Sequence, residues 1–236
     1  MPAINPVYLF ADSQPLFWKN NGQLFIKNIL SHVSAPEPTA AYVGYANGNQ
    51  AEFYEIFQSV MASIGIQTCQ MLDESYTKCD RDFIATASVI LLAGGDPLAG
   101  WKKIVSTGLK DDLLKRFSEG AVLLGVSAGA VHLGLSAQGD DGDDSKKGVD
   151  TLQIVPFIVS AHDEANEWSG LKSQVLSRGE FARGVGIPFG SGFIYHPDHT
   201  IEPIKGSIVE IGQQNCEISI NILFPEADQV SDTVLQ

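Results

Sequence analysis

Residues 121–135 read AVLLGVSAGAVHLGL, Ala121 to Leu135. The first half is an apolar run of the kind that forms a buried strand, and the second half continues through small residues into a helix-like pattern. Between them, Gly125-Val126-Ser127-Ala128-Gly129-Ala130 has the composition of a strand-to-helix elbow. Small neighbours let the chain bend sharply, and the bend lifts the serine hydroxyl clear of the sheet. Ser127 is therefore a candidate nucleophile. A helix starting just after it would aim free N–H groups, that of Ala128 among them, at an oxyanion formed there. On spacing alone, a plain Gly/Ser/Ala turn at a strand end remains the alternative.

A strand that feeds a helix is part of a βαβ unit, and the same alternation extends outward from the elbow. Val7–Ala11, Ala40–Tyr45, Ile66–Met71, Val89–Ala93 and Val122–Val126 are short β-rich runs separated by amphipathic segments. They predict an α/β fold with a largely parallel sheet. Phe25, Ile26, Ile29, Leu30 and Val33 recur at helical spacing. Asn49 followed by Glu52 resembles a capping box, with Phe53, Ile56, Phe57, Val60, Met61 and Ile64 as the buried helix face and Gly65 as the stop. Lys110–Phe117 predicts a further helix ending at Gly120. Residues 138–150, QGDDGDDSKKGVD, exchange periodicity for charge and turn formers and predict a surface loop. Past residue 184, Gly184–Ile187, Gly192–Tyr195, Thr200–Ile204, Ile208–Ile211 and Ile218–Leu223 predict a terminal antiparallel group of short strands. No repeat or linker divides the chain, so residues 1–236 are expected to form one domain.

The composition narrows the function. A chain of 236 residues with 44% apolar and 18% charged residues can bury a full core, which excludes disorder, collagen and a small disulfide scaffold. With 15 basic and 28 acidic residues the formal charge is −13, a surface that repels phosphate backbones and anionic lipid. Neither nucleic acid nor a membrane is an expected partner. No apolar run reaches the roughly 18 residues of a membrane span, and Met1–Ala11 lacks a basic stretch before an apolar core, so a cytoplasmic protein is expected. Cys69, Cys79 and Cys216 form no zinc or CxxC pattern and are expected to be packing residues.

A second segment points to the same chemistry. Ser88–Gly95, SVILLAGG, is an apolar strand ending in Gly94-Gly95-Asp96, and parallel strands carry their sites at their carboxyl ends. The glycine pair can present a backbone N–H to the same oxyanion, the alternative being a turn into the next helix. A nucleophilic serine needs a base. Of five histidines, His32 ends an early segment, His132 points away along the helix after Ser127, and His196 and His199 flank a late turn. His162 follows the buried run LQIVPFIVSA and opens a polar stretch, which makes it the best base. Asp141, Asp143 and Ser145 begin a calcium-loop spacing, but its twelfth position is Leu152 where a bidentate Glu is needed. No metal and no cofactor are expected. Trp101 and Trp168 follow the two site segments and are candidates for a pocket wall.

Together LLAGGDPLAGW, GVSAGAVHLG and VDTLQIVPFIVSAH resemble the successive motifs of the dipeptidase E and cyanophycinase family of serine peptidases. The later GVGIPFGSGFIY and TIEPIKGSIVEI resemble the strands that follow in that family. The resemblance implies a class I glutamine-amidotransferase-like fold, a three-layer sandwich with helices on both faces of the sheet. It implies Ser127 as nucleophile, His162 as base, Gly95 or Asp96 with Ala128 as oxyanion donors, and no cofactor. It further implies a small peptide substrate cleaved beside an aspartyl residue. The third triad member falls, by offset from His162, near Gln138–Asp141, with Asp140 the first choice, Asp141 the second and Asp150 an outside candidate. Two features depart from the family: Pro97 follows Gly94-Gly95-Asp96 where a polar side chain is usual, and no acid stands out. They leave open a non-catalytic binding protein of the same fold, and an esterase or acyltransferase using the same serine. A homo-oligomer is likewise left open. An aspartyl preference at −13 needs a local cation, and Arg178 and Arg183 are the candidates.

Overall fold

The computed structural model describes residues 4–138, 148–215 and 217–226. Its main sheet contains the five strands read from the parallel pattern: β1 (Val7–Phe10), β2 (Thr39–Val43), β3 (Thr68–Met71), β4 (Val89–Leu92) and β5 (Val122–Val126). They run parallel in the order β1-β5-β4-β2-β3. Period-2 alternation splits their side chains between two cores. Val7, Leu9, Ile90, Leu92 and Leu123 face one side, and Tyr8, Phe10, Val89, Leu91, Val122 and Leu124 the other. Strands apolar on both faces need cover on both faces, because each large apolar side chain removed from water contributes about 1.5–3 kcal/mol.

On the first face lie α2 (Lys78–Ile84), α3 (Pro97–Thr107), α4 (Leu109–Ser118) and α5 (Ala128–Leu133). Their Ile84, Trp101, Ile104, Leu113 and Leu133 complete that core. On the second face α1 (Ala51–Ser63) brings Phe57, Val60 and Met61. The Phe25–His32 segment lies there as a 3-10 helix rather than an α-helix. Its buried Ile26 and Ile29 are three apart, the spacing that a three-residue turn stacks on one side. Asn49 does not cap α1. Its backbone has φ 56 and its Nδ2 donates to the Leu72 carbonyl, so Gln50 precedes the helix without a side-chain cap. The capping box belongs instead to Thr77 and Asp80 at α2.

The antiparallel C-terminal strands expected from the sequence are present, and they divide between two sheets. β6 (Ile158–Ala161) and β7 (Arg183–Ile187) run parallel, and β10 (Ile208–Gln214) and β11 (Glu217–Leu223) continue that second sheet antiparallel. β8 (Gly192–Tyr195) and β9 (Ile201–Ile204) extend the main sheet antiparallel beyond β1. The physical cause is the space at β1: a Cβ at Gly192 would lie 2.5 Å from the Phe10 ring, so only glycine lets that strand close onto the edge. The second sheet, with Phe157 just before it, adds Val159, Val185, Ile187 and Ile208 to the first core, and α6 (Ser169–Arg178), with Trp168 just before it, covers the other face through Leu171 and Val175. No helix among the described residues is long and apolar enough to cross a membrane. Cys69 is half-buried beside the second core, Cys79 is exposed rather than packed inside, and Cys216 lies outside the described residues.

Candidate active site

Ser127 sits between β5 and α5 at φ 51, ψ −113, a conformation that side-chain-bearing residues rarely adopt. Its own backbone holds it there: the N–H donates to the Phe10 carbonyl (2.9 Å), and its carbonyl accepts from Ala130 and Val131 (2.9 and 3.1 Å). The glycines around it are steric necessities. A Cβ on Gly129 would lie 1.9 Å from the Leu92 carbonyl oxygen, and one on Gly125 2.6 Å from the Gly129 oxygen. α5 can therefore start directly beneath the elbow.

The turn after β4 packs against this elbow, with the Cβ position of Gly94 3.2 Å from the Ser127 Cβ. Gly95 has φ 137, and a Cβ there would meet the Ala46 carbonyl oxygen at 2.1 Å. Of the expected oxyanion donors, Asp96 is committed elsewhere. Its N–H donates to the Ala46 carbonyl (2.8 Å), and its carboxylate accepts from the N–H groups of Leu98 and Ala99 (2.9 Å each), which makes it the cap of α3. Of the expected donors, Gly95 and Ala128 line a cavity together with Ser127. Pro97, as the first residue of α3, uses its carbonyl: His132 Nε2 lies 2.7 Å from it. That oxygen can only accept, so Nε2 carries the proton. Burial holds the His132 pKa down at about 4, which keeps the ring neutral.

His162 follows the carboxyl end of β6 with φ 59, its N–H donating to the Ile187 carbonyl (3.1 Å). Its ring lies 5.8 Å from that of Phe189. Two carboxylates hold the Phe189 turn: Asp12 accepts from the Gly190 N–H (2.5 Å) and Glu164 from the Phe189 N–H (3.0 Å). Among the described residues His132, His196 and His199 have ring hydrogen bonds, to Pro97, Glu202 and Tyr195, whereas His162 has none. No direct bond joins it to Ser127; such bonds commonly tighten only with substrate in place.

Ser127, His162 and Gly95 together line two cavities that meet at the elbow. One, of about 650 Å³, is walled by Leu16, Tyr42, Phe53, Phe57, Leu91 and Val126, with Asp12 as its charged residue. The other, of about 780 Å³, is bounded by Ala128, Pro97, Ser160, Asp163, Asn166 and Ser173 among others. Asp12 and Asp163 were not singled out from the sequence. Asp12 carried a readable signal, since it lies just beyond the carboxyl end of a parallel strand.

Asp140 and Asp141 lie outside the described residues. Asp150 is exposed, pairs with Arg178 (3.1 Å) and lines neither cavity. Arg183 pairs with Glu210, lies over the Phe157 ring and lines a separate cavity beside Asn5 and Val7, at the opposite end of β1. Neither arginine reaches Ser127. Trp101 and Trp168 are buried and also line neither cavity, Trp101 beside His132 and Trp168 under Gly186. Among the described residues no group of three His, Cys, Asp or Glu could hold a metal ion.

The profile of Peptidase family S51 matches residues 15–191. No curated protein sequence matches the chain. Among solved structures, a peptidase from an acI-B1 Actinobacterium is similar with a TM-score of 0.74 at 13% identity, over 95% of this chain and 96% of that one. A candidate Peptidase E protein from Listeria monocytogenes EGD-e is similar with a TM-score of 0.54 at 14% identity, over 94% of this chain and all of that one. Both likenesses are likenesses of fold.

Proposed function

The chain belongs to peptidase family S51 and is a serine-type peptidase, and from that premise we propose that it hydrolyses small peptides through a Ser127–His162 acyl-enzyme. The observation that carries this reading is the left-handed backbone of Ser127, which turns a hydroxyl-bearing residue into two cavities that His162 also lines.

Ser127 Oγ adds to the scissile carbonyl while His162 takes its proton. The carbonyl oxygen becomes an oxyanion, facing the N–H groups of Gly95 and Ala128. Such preformed donors are worth about 10²–10³-fold in rate each. Collapse breaks the C–N bond as His162 returns the proton to the leaving amine, and water then repeats the sequence on the ester. We assign the third member of the triad to Asp140, with Asp141 second, both outside the described residues. His132 acts at a distance from the reacting atoms: it ties α5, which begins at the elbow, to the start of α3, and so fixes Gly95 relative to Ala128.

A fluorophosphonate probe tests the nucleophile. Covalent labelling at Ser127, absent in Ser127→Ala, with peptide hydrolysis lost in that variant and its circular dichroism unchanged, is expected. Hydrolysis by Ser127→Ala near the wild-type rate overturns the assignment.

A further inference from the structure

We propose that the substrate presents a bulky apolar side chain, not a carboxylate, to the cavity walled by Leu16, Phe53 and Phe57, a statement of substrate class that rests on the Ser127 reading above.

The walls come from three directions. Leu16 belongs to the short 3-10 turn Gln14–Phe17, Phe53 and Phe57 to α1, and Tyr42, Leu91 and Val126 to the main-sheet strands. Phe57 and Leu91 are core residues, at 1% and 3% exposure, whereas Phe53 on the same helix stripe is 47% exposed. A large ring left half in water beside a reactive serine is a surface that another apolar group can cover. At about 650 Å³ the cavity is large enough for an aromatic side chain, which buries roughly 150–250 Å².

Charge argues in the same direction. Among the described residues no lysine or arginine lines either cavity at Ser127. The apolar cavity contains one carboxylate, Asp12, held by the N–H groups of Gln14 (2.7 Å) and Gly190 (2.5 Å). An aspartyl side chain entering there would leave water, meet a like charge and find no cation among the described residues, and a desolvated carboxylate without a partner is strongly disfavoured. Arg178 and Arg183, the residues best suited to grip a carboxylate, are paired with Asp150 and Glu210 away from the cleft. The chain's −13 adds to the repulsion.

Two dipeptide series, Xaa-Ser and Ser-Xaa with Xaa as Phe, Leu, Ala or Asp, test this with the full-length protein. In one of the series kcat/KM for Phe and Leu should exceed that for Ala by at least about tenfold, since each added methylene in an apolar pocket is worth roughly 10–200-fold. The Asp member should be the poorest. Phe53→Arg, at an exposed position, should cut the Phe preference by about tenfold and raise hydrolysis of the Asp peptide. Ser127 labelled by fluorophosphonate together with Asp preferred over Phe, or with no Phe or Leu peptide hydrolysed, overturns the substrate class and leaves the serine mechanism standing. An unlabelled Ser127, with hydrolysis persisting in Ser127→Ala, removes the mechanism and the inference together.

Discussion

The two cavities beside Ser127 are built in opposite ways. The one under α1 is an outcrop of the second core, where Tyr42, Phe57 and Leu91 continue the packing of the main sheet to the surface. The one under α6 is a seam between the elbow and the second sheet, lined by Ser160, Asn166, Ser169, Ser173 and Gln174. Apolar walls reward size with little regard to direction, whereas hydroxyls and amides reward a partner only where its own donors and acceptors meet theirs. In the mechanism proposed above the nucleophile comes from the main sheet and the base from the second, so that mechanism requires the two regions to be fixed to each other.

His162→Gln tests that dependence most directly. If the second sheet supplies the base, kcat should fall by at least about 10³-fold, with the fold intact by circular dichroism. Activity within tenfold of wild type would break the division of labour.

Tightness is the next contrast. Gly129→Ala puts a Cβ 1.9 Å from the Leu92 carbonyl oxygen, and backbone on both sides leaves no cheap relaxation. A loss of about 3 kcal/mol or more in urea unfolding is expected. At Gly170→Ala, in α6 on the polar side, the nearest atom is Asp163 Oδ2 at 3.7 Å. That variant should be neutral, or more stable by up to about 1 kcal/mol from helix propensity. Equal losses at both sites would remove the contrast.

Acid should act first on the tight side. Folding holds His132 at about 4 against an ordinary 6.5, so between those values the unfolded chain binds a proton that the native ring refuses. Stability that is complete above pH 6.5 therefore falls as pH drops toward 4, by up to about 3 kcal/mol at 1.36 kcal/mol per pKa unit. His132→Gln should flatten that window in urea titrations at pH 7, 5.5 and 4. An unchanged slope would sink the assignment. The smallest effects are expected at the displaced arginines. Arg178→Gln and Arg183→Gln break partly exposed ion pairs and should each cost no more than about 1 kcal/mol. Hydrolysis should shift equally for charged and neutral peptides, and a loss confined to Asp peptides would return an arginine to the site.

The parallel strands and the elbow were legible because their signal is local: β-rich runs of five or six residues, and a cluster of residues small enough to turn. His162 was legible as the polar end of a buried run. Partnership between short strands was not, since Gly184–Ile187 and Gly192–Tyr195 look alike in sequence yet join different sheets, a choice made by the free edge of β1. The Asp96 cap was hidden by the resemblance, which drew attention to an oxyanion while the Asp-Pro step was already a helix start. Phe53 was read with Phe57 as core because one helical stripe carries both, and only the tertiary arrangement shows the stripe running out into the cleft.

The backbone at Ser127 also sets a limit on how durable this protein can become. A left-handed conformation at a residue with a Cβ costs on the order of 1–3 kcal/mol, which glycine at the same place would largely recover. Mutations screened for heat resistance alone would thus favour discarding the hydroxyl proposed above as the nucleophile. Durability and chemistry compete for a single codon, and engineering the chain for high temperature has to draw its gains from the helix surfaces and the second sheet instead.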